Sequence, residues 1–288
     1  MVGEATEGRE ADDMSIHVLK TSSMVLLIAG LACLSFVSGQ EIKTLAEEYV
    51  ESLRGRAEKG DASAQYDLGA MYFHGLSVPQ NYAEAVRWYR KSGEQGNARA
   101  QSSLGLIYQD GRGVPQDYAE AVRWYRRAAD QGIADAQNNL GVMYAKGQGA
   151  PQDFAEASRW YRKAAEQGYA DAQFNLGFVY FLGQGVKRDY AEAVRWYRRA
   201  ADQGIADAQY NLGSSYANGQ GVPQDYVEAH MWFNLVASRA SGDDQKKFGD
   251  ARELVAGKMT PAQIAEAQRR AREWKPTTEQ ESKEAIQK

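Results

Sequence analysis

The dipeptide Leu-Gly recurs at 68–69, 104–105, 140–141, 176–177 and 212–213, and every step is 36 residues. Trp88, Trp124, Trp160, Trp196 and Trp232 keep the same step, as do Gln65, Gln101, Gln137, Gln173 and Gln209. Five copies cover residues 61–240 almost without gaps. A fixed period of about 20–50 residues marks a stacked array, in which each unit buries its apolar face only against its neighbours.

Each copy reads as two helices. In the third, Ala136, Leu140, Met143 and Tyr144 fall at i, i+4, i+7 and i+8, one helical face. Gly147-Gln148-Gly149 stops that helix A, because glycine supplies the left-handed residue a C-terminus wants. Asp153 with Glu156 forms a capping-box pattern for helix B, repeated as Asn81/Glu84, Asp117/Glu120, Asp189/Glu192 and Asp225/Glu228. Helix B carries Phe154, Ala157, Trp160, Tyr161 and Ala164 and ends at Gly168. A glycine inside a helix costs about 1 kcal/mol against alanine, so Gly141 implies that helix B approaches helix A closely there.

The flanks read as caps. Residues 40–60 form an N-terminal capping helix with a polar outer side, and 241–276 form C-terminal capping helices. Phe248-Gly249 still sits 36 residues after Leu212-Gly213. Thr260-Pro261 opens a last helix to about Trp274, which Pro276 stops. Residues 277–288 are polar and read as a disordered tail.

Met24 to Val37 is an uncharged run of 14 residues, shorter than the about 20 that span a bilayer. With Lys20 before it and Val37-Ser38-Gly39 after it, residues 1–39 read as a secretory signal cleaved near Gly39. Met1–Asp13 is acidic, wrong for the basic start of such a signal, so Met14 fits better as the start and 1–13 as a mis-assigned extension. The alternatives are an uncleaved membrane anchor and a lipoprotein built on Cys33. Cys33 is the only cysteine, so an exported mature chain would have none and its fold would stand without disulfides. Thiol catalysis and thiolate metal ligation drop out with it.

Charge narrows the partners. The net formal charge is −4, of which the first 40 residues hold −3. The remainder is near neutral, with no excess of positive charge to drive nucleic-acid binding. Arg87, Arg123, Arg159, Arg195 and Arg90, Arg126, Arg162, Arg198 form basic columns on helix B, but Glu84, Glu120, Glu156 and Glu192 lie one turn before the first column and offset it. The tryptophans beside them read as core. After the signal only His74 and His230 remain, at different repeat positions. No His-Glu-x-x-His, Gly-x-Ser-x-Gly or phosphate-loop lysine is present, and the Gly-x-Gly turns follow helices rather than strands. The reading is therefore non-enzymatic, with no catalytic residue, no metal and no cofactor.

The stretches Ala170-Asp171-Ala172-Gln173-Phe174-Asn175-Leu176-Gly177 and Ala191-Glu192-Ala193-Val194-Arg195-Trp196-Tyr197-Arg198-Arg199-Ala200-Ala201 resemble the Sel-one-like repeat (SLR) family, a relative of the tetratricopeptide repeats. The tetratricopeptide pattern appears as Leu68-Gly69-x-x-Tyr72 and Ala85-x-x-x-Tyr89. Gln65 stands where that pattern has Trp, Pro79 lies in a longer turn, and the period is 36 rather than 34, departures that the SLR branch shares. Ser77 replaces the second turn glycine of the first copy and Lys187 the turn proline of the fourth. The resemblance implies an all-α fold: a right-handed α-solenoid superhelix of antiparallel helix pairs, five 36-residue repeats with helical caps. It also implies an adaptor or scaffold that binds another protein along a curved surface, as bacterial envelope members do. The cysteine-rich, disulfide-linked branch of the family is not matched.

Comparing the copies with one another points to a partner face. Positions 64, 68, 71 and 72 of helix A are near-constant, whereas 66, 70 and 73 point almost oppositely and vary. By analogy with the tetratricopeptide repeats these would line the concave groove. The fourth copy places Phe174, Phe178 and Phe181 there, with Leu182 extending the patch and Val142 and Tyr210 flanking it. An apolar patch of this kind marks a partner site and aromatic anchors carry binding energy, the rival reading being rings that fill the gap between repeats. The adjoining column holds Asn139, Asn175 and Asn211, whose amides suit either the backbone of an extended peptide or inter-repeat hydrogen bonds. The expected protein is a monomer, periplasmic or secreted, that binds a protein or peptide; an envelope glycan or peptidoglycan is the alternative ligand.

Overall fold

The computed structural model describes residues 39–287, and the expected signal segment before them, Cys33 included, lies outside the described residues. Among the described residues every regular element is an α-helix. They are α1 (Gly39–Glu58), then five pairs: α2 (Ala62–His74) with α3 (Tyr82–Glu94), α4 (Ala98–Asp110) with α5 (Tyr118–Asp130), α6 (Ala134–Lys146) with α7 (Phe154–Glu166), α8 (Ala170–Leu182) with α9 (Tyr190–Asp202), and α10 (Ala206–Asn218) with α11 (Tyr226–Ala237). Then follow α12 (Gly242–Ala256), α13 (Pro261–Glu273) and α14 (Glu279–Gln287). The chain divides into two units, one up to Gln131 and one from Gly132 onward.

Each A helix ends on a left-handed glycine: Gly75, Gly111, Gly147, Gly183 and Gly219. The loop that follows is tied back at a fixed place. Gln80, Gln116, Gln152 and Gln224 donate from Nε2 to the carbonyls of Phe73, Gln109, Ala145 and Ala217. Each B helix then starts on an Asn or Asp whose side chain accepts from the backbone N–H three residues on. The expected capping box is only half formed. The glutamates return nothing to the cap: Glu156 and Glu192 accept instead from Nε1 of Trp160 and Trp196, at 3.0 and 2.9 Å, and pair with Arg159 and Arg195. A complete box occurs at Thr260 and Gln263, where α13 begins.

The Leu-Gly signature has a direct steric cause. A Cβ on Gly69, Gly105, Gly141, Gly177 or Gly213 would lie 2.4–2.9 Å from the ring of Tyr89, Tyr125, Tyr161, Tyr197 or Phe233 on the paired B helix. Real Cβ contacts do not get that close, so the aromatic ring and the missing Cβ are one feature. The preceding leucine is fully buried in every copy, and all five repeat tryptophans are buried. Ser77 has a φ of 58°, the left-handed value its glycine counterparts adopt. At Gly113, Gly185 and Gly221 a Cβ would come within 2.5 Å of the start of the preceding repeat's B helix. In the first repeat the element before is the capping helix α1, and Ser77 is exposed.

The caps close the apolar ends. In the first unit α1 buries Val50, Leu53 and Ala57 against Ala64, Leu68, Met71 and Trp88. In the second, Phe248 packs with Val236 and Ala237, and Ala267 and Ala271 of α13 join the cluster of Leu212, Trp232 and Leu235. The disordered reading of 277–288 is corrected by α14. Thr278 caps it, accepting from the N–H of Glu281 while Glu281 accepts from the N–H of Thr278. Ser282 is buried and accepts from the side-chain amides of Gln173 and Gln203. A polar composition suggested solvent, but here the polar groups find partners in the repeats.

Candidate functional site

The residues that recur with the period are mostly committed to holding the repeats together. Gln65, Gln101, Gln173 and Gln209 donate from Nε2 to the carbonyls of Ala57, Gly93, Ala165 and Ala201, at the end of the preceding helix, which is α1 for Gln65 and a B helix for the others. Their Oε1 atoms accept in turn: Gln95, Gln131, Gln167 and Gln203 donate to Gln65, Gln101, Gln137 and Gln173 at 2.7–2.8 Å. The first arginine column pairs with glutamate one turn back, at 3.1 Å in each of four copies. The second reaches the next repeat, where Arg90, Arg162 and Arg198 donate to the phenol oxygens of Tyr108, Tyr180 and Tyr216. Cations also cover the exposed edge of the tryptophans: Lys163 Nζ lies 3.9 Å from the Trp160 ring and Arg199 lies over Trp196. The basic columns are thus internally paired.

The predicted partner residues all lie in the second unit. Phe174, Phe178 and Phe181 are each half-buried on α8. Their rings do not stand clear of their own repeat, as the helical wheel suggested. Phe174 and Phe181 lie 6.0 and 6.4 Å from the ring of Tyr197, and Phe181 meets Tyr190 edge-on at 5.2 Å. Phe174 and Phe178 lie 6.2 Å apart. The paired α9 brings Tyr197 against Gly177, and its ring is broad enough to carry these phenylalanines on the same side. Each ring therefore has one flank on the core and one flank in solvent. Leu182, at the end of α8, is 43% exposed and extends the apolar surface outward.

The flanking residues are engaged more fully. Val142 packs on the cluster containing Tyr161 and Leu176. Tyr210 lies 5.5 Å from Phe233 and 5.3 Å from Phe248, with Lys247 Nζ 4.7 Å above its ring. Asn175 donates from Nδ2 to Oδ1 of Asn138 at 2.9 Å, and Asn138 donates to Oδ1 of Asn139 at 3.3 Å. Of the asparagine column, Asn175 bonds to the preceding repeat, and its partner there is Asn138, the neighbour in sequence of Asn139. The Asn211 carbonyl accepts from the Ser215 hydroxyl at 2.8 Å.

Burial governs the shifted ionisable groups of the repeats. Burial pushes the phenols of Tyr161 and Tyr197 above their ordinary value, so both stay neutral. Burial lowers the imidazoles of His74 and His230, and the nearby Arg112 and Arg252 add to it. Among the described residues no cluster of three or more His, Cys, Asp or Glu could hold a metal ion.

Set beside known proteins, the repeat is matched in full. The Sel1 repeat pattern fits residues 62–97, 98–133, 134–169, 170–205 and 206–241. The chain belongs to the Sel1 repeat family. Proteins of this family are commonly interaction scaffolds without catalytic function. The chain is similar to a Sel1 repeat protein from Oxalobacter formigenes, with a TM-score of 0.66, 31% identity, and coverage of 81% of this chain and 98% of that one. It also resembles a protective antigen of uropathogenic Escherichia coli strains displaying an SLR fold, with a TM-score of 0.61, 34% identity and 78% of this chain covered. A stretch of 73 residues is 41% identical to the secretory immunoglobulin A-binding protein EsiB of Escherichia coli O6:H1, covering 25% of this chain. The present chain spans 56% of the antigen's structure and 14% of EsiB.

Proposed function

We propose that this Sel1 repeat protein is a non-enzymatic scaffold that binds another protein or peptide, in the cell envelope or outside the cell. The observation that carries the reading is the half-exposed Phe174, Phe178 and Phe181 with the exposed Leu182, on positions that vary from copy to copy while the packing positions stay fixed. Burying the half of each ring that is still exposed contributes about 1 kcal/mol, and a few such rings together can anchor a partner. Their inner flanks rest on Tyr197 and Tyr190, so they are held in place before a partner arrives and little ordering cost is added on binding. The uncharged run of residues 24–37 supports export. EsiB, which binds secretory immunoglobulin A according to its name, offers a related protein with an extracellular ligand.

The test is cross-linked capture from envelope extract with the parent chain, Phe178→Asp and Leu182→Asp. Leu182 is the exposed member, so its variant keeps the fold and isolates the surface. A protein recovered by the parent and reduced at least about tenfold by both variants, with unchanged helicity, supports the assignment. Equal recovery by all three removes the site from α8. Binding to protease-treated cell-wall material in place of any protein replaces the reading with a glycan-binding one.

A further inference from the structure

The fourth repeat departs from the others at a second place, and that place adjoins the phenylalanine surface. The loop before helix B reads Val-Pro-Gln-Asn at 78–81, Val-Pro-Gln-Asp at 114–117 and 222–225, and Ala-Pro-Gln-Asp at 150–153. In the fourth copy it reads Val186-Lys187-Arg188-Asp189. Its formal charge is +1, from Lys187 and Arg188 against Asp189, where the other loops carry 0 or −1. Gln80, Gln116, Gln152 and Gln224 tie their loops to the carbonyl at the position of Phe181. Among the described residues Arg188 makes no such bond. The exchange therefore gives up a hydrogen bond and the restriction that a proline places on the unfolded chain.

The loop keeps its shape all the same. Gly183 and Gly185 have φ of 72° and 69°, against 67° and 72° for Gly147 and Gly149. What differs is the chemistry on display. A Cβ on Gly183 would lie 2.9 Å from Arg188 Cβ, so Arg188 leaves the backbone beside Leu182 at the end of α8. Its guanidinium lies 5.4 Å from the centre of the Tyr190 ring, the same ring that Phe181 meets edge-on at 5.2 Å. Apolar surface and cation thus share one aromatic neighbour. Lys187 and Arg188 are both exposed, and among the described residues neither is ion-paired. The Asp189 side chain beside them is occupied in capping α9, where it accepts from the Glu192 N–H at 3.0 Å. A guanidinium stacked on a ring is held in place while its planar edge stays open to a carboxylate.

We propose that the α8 surface and the Lys187-Arg188 loop form one composite site for a protein segment whose apolar side chains are flanked by carboxylates. The inference rests on the phenylalanine reading above and adds the charge of the partner. Apolar anchors lie on Phe174, Phe178, Phe181 and Leu182, and acidic side chains meet Arg188 and Lys187.

The test selects a random peptide library, displayed on phage, against the full chain and three variants. Lys187→Pro with Arg188→Gln restores the loop of the other repeats, so its melting midpoint should equal or exceed the parent's. Lys187→Ala with Arg188→Ala removes the same charges without restraining the backbone. Leu182→Asp disrupts the apolar half. The parent should enrich peptides that combine aromatic or aliphatic residues with Asp or Glu. A synthetic copy of the most enriched peptide should bind both loop variants about five- to tenfold more weakly and lose most of its salt dependence, since two exposed charge pairs are removed. Leu182→Asp should weaken it as well. If the enriched peptides need Leu182 but carry no acidic excess, or bind the loop variants as tightly as the parent, the proposal is overturned and the phenylalanine reading stands. Peptides indifferent to Leu182, or no enrichment at all, overturn both.

Discussion

Gly105 shows how one atom sets a repeat. An exposed helical glycine replaced by alanine gains about 1 kcal/mol from propensity. Here the new Cβ would sit 2.4 Å from Tyr125 Cδ1, and Tyr125 is fully buried with no room to retreat. Overpacking costs about 1–3 kcal/mol, so the sign reverses. Gly105→Ala should lower the urea midpoint of the full chain, and the pair Gly105→Ala with Tyr125→Leu should recover part of the loss. An increase in midpoint for the single variant would show that the helices do not meet there as described. The 36-residue recurrence of this glycine was plain in the sequence, and so was a packing reason for it. The atom it makes room for was not, since nothing in spacing alone selects Tyr161 over Trp160 as the neighbour of Gly141.

At the scale of the element, the helix B start joins three functions in four residues. Asp153 accepts from the N–H groups of Ala155 and Glu156, Glu156 pairs with Arg159, and Glu156 accepts from Trp160. Arg159 is 75% exposed, so its ion pair is worth less than about 0.5 kcal/mol. Loss of the cap costs about 1 kcal/mol. Trp160 is 4% exposed, and stranding its indole N–H costs about 1–3 kcal/mol. Denaturant titration should therefore rank Glu156→Ala and Asp153→Ala as destabilising and Glu156→Gln as nearly neutral, because glutamine keeps an acceptor for the indole. A Glu156→Gln loss as large as that of Glu156→Ala would assign the energy to the ion pair instead. The sequence presented Asp153 and Glu156 as a reciprocal box, a pattern that fits both arrangements. The choice went to the indole because Trp160 brings a buried donor within 3.0 Å, while the cap's own N–H has other acceptors in reach.

For the whole molecule, acid is the informative perturbation. His74 and His230 lie in different units, and burial holds each imidazole below its ordinary value of 6.5. A base whose folded value is depressed favours the neutral form, so its stabilising share is complete above 6.5 and is lost as pH falls below it. The slope is at most about 1.4 kcal/mol per pH unit for each histidine. Burial raises the carboxyls of Asp67 and Asp202, which acts with the opposite sign and at lower pH. Unfolding free energy measured between pH 7 and 5 should fall, and His230→Leu should flatten part of that fall. A slope identical in parent and variant would show that His230 titrates alike in both states.

The sequence by itself determined the repeat, its two helices, their stops and the buried leucine and tryptophan positions, because a stacked array repeats the same local contacts every 36 residues and leaves them as a period. It also carried the family, through the Leu-Gly and Ala-rich patterns at five registers. Tertiary structure alone decided what the polar and variable residues do. Gln65, Gln101, Gln173 and Gln209 looked like markers and are hydrogen-bonded ties to the end of the preceding helix. Asn175 reaches Asn138, and Phe174 leans on Tyr197 instead of standing free. Ser282 meets Gln173 across 109 residues of chain. The physical reason is that a polar or aromatic side chain takes its role from whichever partner packing brings within reach, and a pairing made once, between distant segments, leaves no period to read.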